Sequence, residues 1–155
     1  MGFFDRFKKQ AQPEREFDGN SLTTAFEEAV PQLVARAWDY ADRSPELDTV
    51  GVIMHYGNGN PDARPVYGLG GAFHHPAGIS NLAVEDTEDA VITDLSDIAR
   101  EFYNNVEPDL RPHAVIIRYT TADGAMGATF EHDDSTGDAQ SIANTIVETG
   151  SIDDA

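Results

Sequence analysis

Five histidines, His55, His74, His75, His113 and His132, are the residues of this chain best suited to hold a metal or move a proton near neutral pH. All five fall on or beside segments with strand character. Their spacing contains no His-Glu-x-x-His, and the adjacent pair His74 and His75 would point to opposite faces of a strand, so no zinc pattern forms. The absence of cysteine removes disulfides, thiolate metal sites and a cysteine nucleophile together. Asp133-Asp134-Ser135-Thr136-Gly137-Asp138 looks faintly like a calcium loop, but it lacks the ligand spacing around the glycine and the glutamate at the twelfth position. A turn with a helix cap accounts for those residues. Gly68-Leu69-Gly70-Gly71 is no phosphate cradle, because no helix follows at once and no lysine is available to close on a phosphate. Carboxylates are too numerous to single out a catalytic pair, and Gly-x-Ser-x-Gly is absent. A hydrolase using His113 or His132 with a neighbouring carboxylate would need those groups to converge in a pocket. The expectation is a protein without metal, cofactor or catalysis.

What the sequence offers instead is charge. With 28 acidic residues against 10 basic ones the formal charge is −18 on 155 residues, and both lysines, Lys8 and Lys9, lie in the first nine positions. Such a chain repels nucleic acid and anionic membranes and steers basic partners toward itself. The field is expected to be strongest from Glu85 to Asp109, where nine acidic residues face the single Arg100. Within that strip Glu85, Asp86, Glu88, Asp89, Asp94, Asp97 and Glu101 are the candidate partner-binding residues, the partner being a basic protein. Desolvated anchors must supply affinity, and Tyr56, Tyr67, Phe73 and Tyr103 are the candidates where they escape the core. The alternative is an acidic accessory or structural protein whose charge keeps the chain soluble or adapts it to high salt.

The elements that would position these groups read as α+β. Phe3, Phe4 and Phe7 share one helical face in the first twenty residues, which form a loosely docked segment or a small basic-aromatic foot. Asn20 or Ser21 caps a helix running to about Arg43, with Ala25, Phe26, Ala29, Val30, Leu33, Ala37, Trp38 and Tyr40 inward. Pro31 either kinks it or divides it in two. Trp38 is expected to anchor the core against a sheet. Val50, Val52, Met54 and Tyr56 mark one apolar face of a strand, a turn follows over Gly57 to Asp62, and the returning strand spans about Arg64 to Phe73, where glycines at 68, 70 and 71 suggest a bulge or a close backbone approach. Thr93 or Asp94 caps a middle helix with Leu95, Ile98, Ala99, Phe102 and Val106 inward, ended by Pro108. A hairpin from His113 to His132 turns at Ala122-Asp123-Gly124, and a last helix carries Ala139, Ile142, Ala143, Ile146 and Val147. The expected architecture is two antiparallel hairpins in a twisted sheet of about four strands, with helices before, between and after them. One domain over residues 21–150 would follow the N-terminal segment 1–20, and 151–155 would form a frayed acidic tail. No run of about 20 apolar residues suggests a membrane span, and the start has no signal-peptide pattern, so the cytoplasm is the expected location.

The order of elements, with Pro112-His113-Ala114-Val115-Ile116-Ile117-Arg118-Tyr119, Thr120-Thr121-Ala122-Asp123-Gly124 and Ala128-Thr129-Phe130-Glu131-His132-Asp133, resembles the YezG-like immunity proteins of bacterial polymorphic toxin systems over about residues 21–134. Two departures are Leu47, where a tryptophan is expected, and the glycine-rich second strand with a longer acidic insertion after it. The resemblance implies a non-catalytic cytoplasmic antitoxin that binds a cognate toxin domain and occludes its surface. It carries over no catalytic residues.

Overall fold

In the computed structural model, which describes residues 21–57, 60–132 and 138–152, the expected α+β architecture is present with a fifth strand. Helix α1 spans Ser21–Tyr40, strands β1, β2 and β3 span Thr49–Gly57, Asn60–Leu69 and Ala72–His74, and helix α2 spans Glu88–Asn104. Strands β4 and β5, Ala114–Thr120 and Met126–Glu131, precede helix α3, Ala139–Thr149. The sheet is open and antiparallel, in the order β3-β2-β1-β4-β5. The N-terminal segment 1–20, the turn tip Asn58-Gly59, the Asp133 to Gly137 loop and Asp153 to Ala155 lie outside the described residues.

The additional strand arises from Gly70 and Gly71. Both have positive φ, 64° and 86°, and the pairing of Leu69 with Ala72 closes a two-residue turn between β2 and β3. Paired glycines supply the left-handed conformations that such tight hairpins require. Gly70 and Gly71 therefore end a strand rather than bulge one, while Gly68 stays within β2 as a close approach, a Cβ there lying 2.5 Å from Asp48 Oδ1. β2 also begins earlier than expected, at Asn60, since Pro61 and Pro65 are accommodated in the ladder with β1.

Both faces of the sheet are covered. Val50, Val52 and Met54 of β1, Ala63 and Tyr67 of β2, and Val115 and Ile117 of β4 pack under α1 and α2. Ile53, Val66, Ala114 and Ile116 pack on the other face with Ala139, Ile142, Ala143 and Ile146 of α3. β1 and β4 thus read as nearly continuous apolar runs, as strands buried on two faces do. Gly51 admits Ile152 onto this second face: a Cβ there would lie 2.7 Å from Ile152 Cδ1 and from Val66 Cγ2. Ile152 is only 5% exposed, so this residue of the expected tail belongs to the core.

α1 runs through Pro31 as one helix with the proline exposed, because the solvent side tolerates a missing backbone donor better than the packed side. It ends at Tyr40, short of Arg43. Asp42 and Arg43 both take positive φ there, 55° and 51°. The Arg43 guanidinium lies 5.7 Å from the Trp38 ring centre and its Nε donates to Asp39 at 2.6 Å. Trp38 is half-buried, with Tyr119 of β4 5.8 Å away between ring centres, so it packs at the margin of the core.

Candidate functional site: the acidic α1–α2 face

The middle helix is capped at Thr87, six residues before Thr93 and seven before Asp94, the expected caps. Thr87 has an extended backbone and its hydroxyl accepts from Ala90 N at 3.1 Å, while Asp86 Oδ1 accepts from Thr87 N at 2.9 Å. Glu88 and Asp89 then fill the first turn, where carboxylates complement the helix dipole. Thr93 and Asp94 are exposed positions inside the helix. Val91, Leu95, Ala99, Phe102 and Tyr103 face the core, which turns the remaining acidic residues outward along α1.

Arg36 organises this face. From the α1 side it donates to Asp86 through both terminal nitrogens, at 2.7 and 3.1 Å, and to Asp94 through Nε at 2.6 Å. The fork spans the segment before α2 and the helix itself, with the planar, two-point recognition that guanidinium favours. Hydrogen bonding by Arg36 holds the Asp86 carboxyl below its ordinary pKa, reinforced by the Thr87 amide and opposed by burial. Arg36 is raised above its own ordinary value, first by its bond to Asp86. The end of α1 is also fixed from below. Tyr67 Oη donates to Ala37 O at 2.6 Å, Tyr40 Oη donates to Pro76 O at 2.9 Å, and the two rings stack.

Three neighbouring grooves run along the face. The first is lined by Ala25, Glu28, Ala29, Gln32, Ile98 and Glu101, among others. Gln32 and Ile98 continue into the second with Ala35, Arg36, Asp39, Asp94 and Asp97. Asp39 is shared with the third, which adds Asp42, Val84, Glu85 and Asp86. Val84 is 69% exposed, an isolated apolar group at the acidic end.

The seven residues chosen from sequence divide into kinds. Asp86 and Asp94 are tied to Arg36, and Asp97 to Arg100 at 2.7 Å, so these three already have cations. Glu85, Asp89 and Glu101 are exposed and form no ion pair among the described residues. Glu88 and Asp89 line none of the three grooves. Asp39, Asp42 and Val84 join the site without having been selected, because pairing of α1 with α2 is not written in either helix alone. The proposed aromatic anchors are elsewhere: Tyr67 and Tyr103 are fully buried, Tyr56 stacks on Tyr103 and accepts from Arg111 at 2.7 Å, and Phe73 packs toward α3. Their apolar area is used by the core.

The histidines converge only in part. His55 Nδ1 is 3.6 Å from Asp62 Oδ1, and His113 meets the His55 ring edge-on with 4.8 Å between centres. His132 is exposed, and no histidine lines the three grooves. Among the described residues no group of three or more His, Asp or Glu has a metal-holding arrangement, and no helix is long and apolar enough to cross a membrane. No protein-family model matches the chain, and no curated protein matches it significantly.

Proposed function

We propose that this chain is a non-catalytic acidic binding protein, of the immunity-protein kind, that docks a basic toxin domain on the α1–α2 face and occludes the toxin's working surface. The observation that carries the reading is the run of grooves whose rim joins Asp42, Glu85 and Glu101, carboxylates without an ion pair among the described residues, to carboxylates held by Arg36. Free charges steer a basic partner, and the fixed ones give it a defined geometry to meet. The resemblance to YezG-like proteins and the cytoplasmic location belong to the same proposal.

The test is co-expression with a basic toxin domain encoded beside this chain. Wild type should relieve its toxicity, with affinity falling as salt rises. Asp42→Lys, Glu85→Lys and Glu101→Lys together should weaken binding and flatten that salt dependence without unfolding the chain. Equal binding by the triple variant would remove the site, and failure of the neighbouring polypeptide to bind would remove the function.

A second reading has its own observation. Exposed Glu46, Asp48, Glu107, Asp109, Asp123 and Glu148 lie off the α1–α2 face, as charge kept for solubility or high salt would. A chain adapted in that way loses structure in dilute buffer through self-repulsion, whereas an inhibitor does not.

A further inference from the structure

On the sheet face away from the acidic grooves, a small polar cluster sits at the start of α3. His55 of β1 is 8% exposed. Among the described residues its ionisable surroundings are Asp62 of β2, His113 just before β4, and Asp138, which caps α3 by accepting from Ser141 N at 2.8 Å, while Arg64 of β2 acts on Asp62 and Asp138. Tyr56, the next residue of β1, faces the other side of the sheet against Tyr103. The His55–Asp62 separation of 3.6 Å is too long for a good hydrogen bond, so the carboxylate only partly compensates a proton on the imidazole. The His113 ring meets it edge-on, with 4.8 Å between ring centres.

We propose that His55, buried beside Asp62 and His113 and near the Asp138 cap, is an acid-sensitive latch that lets the N-terminal end of α3 leave the sheet on acidification while the α1–α2 layer stays folded. The anchorage of α3 makes the release local. Its apolar residues form a cluster separate from the larger core under α1 and α2, and Asp138 stands where that cluster meets the polar one.

The direction follows from proton linkage. In the closed form burial holds the His55 pKa below its ordinary value; Asp62 and Asp138 oppose that shift and His113 adds to it. Once α3 lifts, the imidazole meets water and binds protons near its ordinary value of about 6.5. The open form therefore holds more protons below that pH, so acid favours opening and base favours closure. One proton can change the opening equilibrium by at most about tenfold per pH unit.

Hydrogen exchange on the full chain from about pH 7.5 to about pH 5, corrected for intrinsic rates, reads this equilibrium directly. Opening at Ile142, Ala143 and Ile146 should rise severalfold on acidification, while Leu95 and Ala99 of α2 stay protected. His55→Gln should flatten the response. Asp62→Asn removes a group that favours the imidazolium in the closed form and should steepen it, and His113→Gln should weaken it. These opposite shifts keep the test decisive even where His55→Gln fails to fold. A pH-independent α3, an α2 that opens in parallel, an unchanged response in His55→Gln, or Asp62→Asn and His113→Gln moving together would each overturn the latch.

Discussion

Asp86 and Asp62 carry the same carboxyl group, yet their surroundings pull its ionisation in opposite directions. Asp86 lies at the acidic face and is held below its ordinary pKa chiefly by the Arg36 guanidinium. Asp62 lies beside α3 and is raised above it chiefly by burial, with His55 and Arg64 opposing. The Asp86 side chain is 20% exposed and bonded to a guanidinium, whereas that of Asp62 is 41% exposed and has only an imidazole at 3.6 Å, so the difference lies in the partner more than in depth. A count of acidic residues treats the two as equal, and only burial and partner geometry separate them.

Arg36→Met should be the most damaging change to that contrast. It leaves Asp86 and Asp94 facing each other without their shared cation, and a loss of about 2 kcal/mol at neutral pH is expected from charge-assisted bonds in partly exposed surroundings. Urea denaturation should show the loss shrinking in acid, where the two carboxyls are protonated. An unchanged midpoint at neutral pH would mean that Arg36 does not hold the face together.

Ile152→Ala tests the opposite side. Its side chain fills the space left by Gly51, so truncation should cost about 2 kcal/mol. The same urea measurement serves, and a loss below about 0.5 kcal/mol would return this residue to the solvated surface. Arg100→Met is the control for exposed pairing. Arg100 and Asp97 are more than half exposed, and their separation should change stability by about 0.5 kcal/mol or less.

Much of this was legible in the chain. The β4–β5 hairpin announced itself through Val115, Ile116 and Ile117 followed by Asp123-Gly124, and the inward stripes of α1 and α3 followed helical spacing. Local pattern misled where two signals competed. Thr93-Asp94 and Thr87 are both plausible caps, and Val91 in the core decides for Thr87. Gly70 and Gly71 read as a bulge or a close backbone approach within one strand, and only the pairing of β3 with β2 shows them to be a turn. At the site, the acidic strip could be seen in sequence, but Arg36 could not be assigned to it. Its carboxylates are 50 and 58 residues away, and long-range pairing leaves no trace in the periodicity of either helix.

The finest probe of the contrast is the sign of two small effects. For Asp86, whose folded pKa lies below the unfolded one, ionisation contributes stability that is present above the unfolded value of about 3.9 and is lost as pH falls through the folded value. Asp86→Asn should therefore be less stable than wild type at neutral pH and approach it in strong acid. For Asp62, raised by burial, the protonated form is the favoured one in the fold, so its contribution is complete below the unfolded value and is lost as pH rises through the folded value. Asp62→Asn should gain on wild type as pH rises from about 3 to about 6, a change kept small by the exposed part of the side chain and by the lost attraction to His55. Denaturation curves at several pH values give both differences, and finding the two variants drifting in the same direction would mean that the Arg36 bond at Asp86 and the weaker pairing at Asp62 do not separate these carboxylates.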